Sequence, residues 1–134
     1  MSQTLETVLR KHRERFFPVV PFDPANQQLT ALDLSATNQE LTSEIFSDLD
    51  KFQIYIESKL TQAQSVYGIG GYCELRNLYT RSELFGERLS PNGQEPRRYH
   101  IGQDIWGKAG TPVFSFAEGE LHSQAFNRQF GDYG

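Results

Sequence analysis

The sequence predicts an α+β protein in which a helical N-terminal region is followed by short antiparallel strands. Apolar residues recur every three or four positions over about 38–64, apolar and polar residues alternate near the C-terminus, and Gly and Pro interrupt the chain between them. The 134 residues are enough for a single core. We divide the chain into a helical extension, 1–66, an irregular connector rich in Gly, Arg and Tyr, 67–98, and a β region, 99–134.

Composition excludes several classes of function. Thirteen Lys and Arg against seventeen Asp and Glu give a net charge of -4, which argues against a nucleic-acid partner. The single cysteine, Cys73, excludes an internal disulfide. No apolar run approaches the roughly 18 residues that span a bilayer, and the N-terminus has no signal-peptide core. We therefore expect a soluble protein without a membrane partner, with the cytoplasm as its default compartment.

A long helix is predicted over about 38–64. It is preceded by a short amphipathic helix over 2–16, which Pro18 stops. The stretch T-N-Q-E over 37–40 has the form of a capping box, which marks a helix start. After it, apolar residues follow at helical spacing and form one continuous stripe, which predicts core packing: Leu41, Ile45, Leu49, Phe52, Ile56 and Leu60.

Two short strands are predicted in the β region. Apolar and polar residues alternate over 111–116 and again over 120–126, with Glu118 and Gly119 as a turn between them. A lone hairpin is only marginally stable in water and needs partners. The G-D-Y-G ending is typical of a turn that enters another strand. We expect a β region that is C-terminally incomplete, with an unpaired sheet edge through which the chain can self-associate.

The stretch R-R-Y-H-I-G-Q-D-I-W-G-K-A-G-T-P-V, over 97–113, contains the strongest candidate site. His100 and Asp104 are good metal-ligand types, and zinc binds imidazole nitrogen and carboxylate oxygen at about 2.0–2.2 Å. On a straight strand, residues four apart are separated by roughly 13 Å. A shared ion therefore requires the backbone to bend between them, and Gly102 permits that bend. The alternative is a surface-loop histidine that is hydrogen-bonded to a nearby carboxylate.

The same stretch, followed by F-A-E-G-E-L-H-S, resembles the first half of the LytM/lysostaphin-type zinc metalloendopeptidases, which cut peptide cross-links in bacterial peptidoglycan. The family's H-x-x-x-D motif matches His100 and Asp104, and its G-T-P-V strand matches 110–113. The resemblance implies a LytM-type β domain, zinc as the cofactor, His100 and Asp104 as the first two zinc ligands, and a peptidoglycan peptide as the substrate. Proteins of this family are often exported.

The sequence departs from the family in one respect that affects function. The family completes its site with an H-x-H motif, which does not occur in these 134 residues. A catalytic zinc needs three protein ligands and an open position, so we expect this chain to be an inactive fragment of a peptidase. The competing hypothesis is a non-catalytic LytM-like binding or regulatory module. A lipoyl-like or sugar-phosphotransfer-like carrier is a third alternative, but the turn at 118–120 lacks an acceptor lysine.

Three further residues are candidates for substrate binding. Tyr99 and Trp106 flank the motif and would line a groove, although aromatic side chains also serve in the core or at its rim. Arg97 would engage a substrate carboxylate, although solvated loop arginines are common. The sequence leaves open whether Arg76 and Asn77 lie near the site.

Overall fold

The computed structural model describes residues 4–81, 98–126 and 128. They form a mixed α+β fold, which confirms the predicted class. The helices are α1 Leu5–Lys11, α2 Ser43–Ser47 and α3 Leu49–Gln62, and the strands are β1 Leu29–Leu32, β2 Tyr67–Gly70, β3 Glu74–Leu75, β4 Tyr99–His100 and β5 Ile105–Trp106. Short 3-10 helices span Arg13–Arg15 and Asn77–Arg81. No helix among the described residues is long and apolar enough to cross a bilayer.

The predicted long helix is split at Asp48. The backbone of Asp48 is extended, with φ -116° and ψ 117°, so α2 ends there and α3 begins after it. The Asp48 carboxylate accepts hydrogen bonds from the backbone N–H groups of Asp50, at 3.0 Å, and Lys51, at 3.2 Å. It therefore acts as the N-cap of α3. The prediction of one continuous helix was wrong, but its C-terminal part corresponds to α3.

The expected capping box does not start a helix. The Asn38 side chain accepts from the backbone N–H of Glu40 at 2.9 Å, and it donates to the Asp33 carbonyl and to the Tyr55 hydroxyl. The Glu40 carboxylate pairs with Lys59 of α3. Local bonds from an Asn side chain compete with helix formation. The chain consequently turns over 37–40, and α2 starts at Ser43.

The core lies between the helices α2 and α3 and the sheet. Most of the predicted stripe contributes to it, but Leu49 is 48% exposed because the break at Asp48 changes the direction in which the stripe points. Phe46, outside the stripe, is buried instead. The core cluster contains Leu32, Leu34, Leu41, Phe46, Phe52, Ile56 and Leu78, with Ile45, Tyr55, Leu60 and Trp106 packed against it.

A three-stranded sheet joins all three predicted segments of the chain. The strand β2 is central and pairs in parallel with β1 and antiparallel with β5. The segment expected to be irregular therefore begins with the central strand. Steric contact requires glycine at position 68 in β2, because a Cβ on Gly68 would lie 2.4 Å from Leu32 Cδ1. A second sheet pairs β3 with β4 and sets Glu74 opposite His100.

The predicted hairpin is wrong over the residues that the structure describes, since neither 111–116 nor 120–126 forms a strand. Instead, the backbone N–H of Phe114 donates to the Val19 carbonyl, and that of Phe17 donates to the Phe116 carbonyl, each at 2.8 Å. The rings of Phe16 and Phe116 meet edge to face. The segment over 114–116 thus takes the proline-containing segment near the N-terminus as its neighbour, in place of the segment that follows the turn.

Candidate metal centre

His100 and Asp104 are held by different sheets and meet across a bend. His100 ends β4, which pairs with β3, and Asp104 directly precedes β5, which pairs with β2. The chain bends between them at Gly102, where a Cβ would lie 3.1 Å from His100 Nε2. His100 Nε2 lies 3.2 Å from Asp104 Oδ1. The two side chains predicted as ligands therefore converge, and glycine leaves room for the imidazole.

The Nε2 atom of His100 is buried and has no hydrogen-bond partner among the described residues. Asp104 Oδ1 is close to it but is not aligned for a hydrogen bond. A buried polar atom without a partner costs about 1–3 kcal/mol, so such an atom calls for a physical explanation, such as a bound ion. The side chain is 18% exposed, which differs from the surface-loop histidine of the alternative interpretation.

Tyr79 contacts the other ring nitrogen of His100. Its hydroxyl is hydrogen-bonded to Nδ1, and the two rings are stacked with centroids 6.2 Å apart. Burial, the largest effect, raises the pKa of Tyr79 above 10.0, so its phenol is neutral at physiological pH. When Nδ1 carries the imidazole proton and donates it to the phenol oxygen, the Nε2 lone pair is free for a metal.

Arg76 joins Asp104 to a second carboxylate. Its Nη1 donates to Asp104 Oδ2 at 2.5 Å, its Nε donates to Glu74 Oε2 at 2.6 Å, and its Nη2 donates to the Gly71 carbonyl at 3.3 Å. Only 2% of Arg76 is exposed. Burial lowers the pKa of Arg76, but the hydrogen bonds and charges of Asp104 and Glu74 outweigh burial and raise the pKa above its usual value. Arg76 is therefore a permanent buried cation.

Sequence reasoning left Arg76 open and missed Glu74 and Tyr79. Glu74 and Arg76 are only two residues apart, on and just after β3, but the pairing of β3 with β4 sets Glu74 opposite His100, and the pairing of β5 with β2 holds Asp104 nearby. No local pattern encodes that pairing. Asn77, the other residue left open, accepts a hydrogen bond from Arg98 Nη2 at 2.6 Å.

The candidate substrate-binding residues have different surroundings. Tyr99 is 62% exposed and is the neighbour of His100 on β4. Trp106 packs edge to face against Phe52 at the margin of the core, with ring centroids 5.4 Å apart. Arg97 lies outside the described residues.

A third metal ligand is absent from the part of the chain that the structure describes. No group of three His, Cys, Asp or Glu side chains within these residues could hold an ion. His122 is exposed, with Nδ1 3.2 Å from Ser123 Oγ, and Cys73 is exposed as well. Among the described residues, His100 and Asp104 are thus the two side chains of metal-ligand type that meet at this site.

No family model, curated protein or solved structure matches this chain.

Proposed function

We propose that His100 and Asp104 are the first two zinc ligands of a LytM/lysostaphin-type metallopeptidase site. The proposal rests on the distance between His100 Nε2 and Asp104 Oδ1. Two ligand atoms that bind zinc at about 2.0–2.1 Å with tetrahedral geometry lie roughly 3.3 Å from each other. The distance between His100 Nε2 and Asp104 Oδ1 is 3.2 Å. The pair therefore has the separation of two corners of a zinc tetrahedron.

The chemistry of the pair fits the same ion. Imidazole nitrogen and carboxylate oxygen are common zinc ligands, and a buried, unpaired Nε2 is accounted for by a metal. Lack of hydrogen-bond alignment between Nε2 and Oδ1 is expected when both atoms direct their lone pairs at a third point. Bound zinc would act as a Lewis acid on a peptide carbonyl. His100 and Asp104 would hold it, with Tyr79 orienting the imidazole.

The substrate class rests on the resemblance over 99–113 and is a peptide, of the peptidoglycan type in that family. The exposure of Tyr99, beside His100, supports a role in contacting such a peptide. The packing of Trp106 against Phe52 supports a role in the core for that residue. Catalysis requires a third protein ligand, which the described residues do not supply.

The second candidate function is a non-catalytic binding module. Such a module needs no third zinc ligand, and no three-ligand group occurs within 4–81, 98–126 and 128. Such a module would bind a peptide or glycan without zinc, and the hydrogen bonds of His100 and Asp104 would then be structural. Zinc binding distinguishes the two functions, because only the first requires it.

The experiment is a calorimetric zinc titration of the untagged chain. We expect weak binding of one zinc ion per chain, and at least a tenfold loss of affinity in both His100→Ala and Asp104→Ala. The chain contains two other histidines, so His12→Ala and His122→Ala are matched controls that keep wild-type affinity. Absence of binding in the wild type, or an equal loss in the controls, would overturn the proposal and favour the non-catalytic module.

A further inference from the structure

We infer that Arg76 is a positioning residue that makes Asp104 a one-oxygen metal ligand, with Glu74 as the counter-charge that allows a cation to bind beside it. This inference rests on the proposed zinc pair. It assigns a task to the most thoroughly buried charged side chain among the described residues.

The hydrogen bond from Arg76 orients the Asp104 carboxylate. Arg76 Nη1 bonds Asp104 Oδ2, and the other oxygen, Oδ1, is the one that lies 3.2 Å from His100 Nε2. The terminal torsion of a carboxylate has broad preferences, so a carboxylate without a partner is free to rotate. The backbone of Asp104 is fixed separately, because its carbonyl accepts from the N–H of Gly70 at 3.0 Å. Arg76 therefore fixes the rotation of the Asp104 carboxylate and leaves a single oxygen, Oδ1, beside His100.

Glu74 adds a second negative charge to the ion pair of Arg76 with Asp104. Arg76 alone would neutralise Asp104 and would leave little attraction for a cation. Because Glu74 also binds Arg76, the cluster of one cation and two carboxylates keeps a charge of about -1 beside His100. A divalent cation then enters a site of opposite charge. Glu74 is well placed for this task, since its Oε1 also accepts the backbone N–H of Leu34 at 3.3 Å, which holds it in the fold.

The ion pair of Arg76 and Asp104 is packed tightly against the backbone at Gly70. A Cβ on Gly70 would lie 3.0 Å from Arg76 Nη2 and 3.2 Å from Asp104 Oδ2, so the ion pair fills the space above this glycine. The backbone N–H of Arg76 also donates to the Arg98 carbonyl at 2.8 Å. A buried ion pair is weak as a device for stability alone, because apolar replacements are often as stable. A role in orienting Asp104 as a metal ligand accounts for the presence of this buried ion pair.

The test uses Arg76→Lys in the whole chain, with calorimetric zinc affinity as the readout. Lysine keeps the positive charge, but its ammonium group cannot reproduce the planar fork that bridges Glu74 and Asp104. Loss of the partner that orients a ligand typically costs 10–100-fold in metal affinity, and we expect a loss in that range. Ile56→Val is the matched control for stability, since Ile56 lies in the core outside the cluster and the loss of one methyl group there weakens the fold.

A second variant keeps the test decisive if Arg76→Lys does not fold. Glu74→Gln retains the shape of the side chain and an oxygen that accepts from Arg76, but it removes the counter-charge. We expect zinc affinity to fall at least severalfold in Glu74→Gln, while Ile56→Val keeps wild-type affinity.

The outcomes separate this inference from the proposed function. If the wild type binds no zinc, the proposed function fails and the inference fails with it. If the wild type binds zinc at His100 and Asp104, but Glu74→Gln and any folded Arg76→Lys bind it equally well, only the inference is overturned. Tighter binding in Arg76→Lys would also overturn it, since Arg76 would then compete with the metal for Asp104.

Discussion

Tyr79 and Asp104 approach opposite nitrogens of the His100 ring, with the Tyr79 hydroxyl hydrogen-bonded to Nδ1 and Asp104 Oδ1 beside Nε2. A neutral imidazole carries its proton on only one nitrogen, so the partner of Nδ1 determines whether Nε2 has a free lone pair. If Nδ1 carries the proton and donates it in a hydrogen bond to the phenol oxygen, Nε2 is left with a lone pair that can bind a metal. In that arrangement Tyr79 stabilises the tautomer that zinc requires.

Replacing Tyr79 by Phe tests this role. The ring and its stacking on His100 are retained, but the acceptor for Nδ1 is lost, and we expect zinc affinity to fall by at least about tenfold. Tyr72→Phe is the control, because Tyr72 is 69% exposed. Calorimetric titration of the two variants measures the effect. Equal zinc affinity in both would show that Tyr79 does not orient the imidazole.

The burial of Tyr79 also predicts how stability depends on alkaline pH. Burial raises the pKa of Tyr79 above the ordinary 10.0, against the smaller lowering by the Arg76 cation. An acid whose pKa is raised by folding contributes stability that is fully present below its unfolded pKa and is lost as the pH rises through its folded pKa. We expect wild-type stability to decline as the pH rises from 10.0 upward, and this part of the decline to be absent in Tyr79→Phe. Urea unfolding of both proteins at neutral and alkaline pH measures it, and parallel declines would contradict the assignment.

Gly107→Ala should destabilise the fold. A Cβ at this position would lie 2.6 Å from Cδ1 of Tyr67, whose buried ring cannot easily move because its hydroxyl donates to the Pro21 carbonyl at 2.8 Å. Overpacking of this kind costs about 1–3 kcal/mol. Gly119→Ala is the control, since nothing lies within 4 Å of the added Cβ, and its effect should stay within about 0.5 kcal/mol. Urea denaturation compares them, and equal unfolding free energies would argue against the close packing of Gly107 on Tyr67.

Asp48→Ala should weaken the start of α3. It removes the acceptor for the backbone N–H groups of Asp50 and Lys51, and loss of an N-cap costs about 0.5–2 kcal/mol. Asp48→Asn retains a side-chain oxygen and should restore most of the stability, because Asn and Asp are similar N-caps. Thermal unfolding measures both variants. An Asn variant as unstable as the Ala variant would contradict the capping role.

Local patterns predicted the class of the fold and much of its helical core. The recurrence of Phe52, Ile56 and Leu60 correctly indicated the buried face of α3, because helical periodicity is a property of neighbouring residues. The break at Asp48 and the turn at Asn38 were missed, because a side chain that caps one helix or bonds its own backbone competes with a longer helix.

Long-range pairing could not be predicted from the sequence. The register of β1 on β2 joins residues far apart in the chain, and the partner of Phe114 is Val19, not a residue across the following turn. At the candidate site, the spacing of His100 and Asp104 and the bend at Gly102 were visible in the sequence. The contact of Arg76 with Asp104 and that of Tyr79 with His100 could not be predicted from the sequence, because they depend on tertiary pairing.

The zinc pair itself is tested most directly at the imidazole nitrogens. Long-range ¹H–¹⁵N correlation spectra of the whole chain, recorded with and without zinc, report the protonation and ligation of each histidine ring. We predict that zinc shifts the Nε2 resonance of His100, that Nδ1 of the same ring keeps its proton, and that His12 and His122 do not change. An unchanged His100 at saturating zinc, or shifts of the same size in His12 or His122, would contradict the assignment of His100 and Asp104 as zinc ligands.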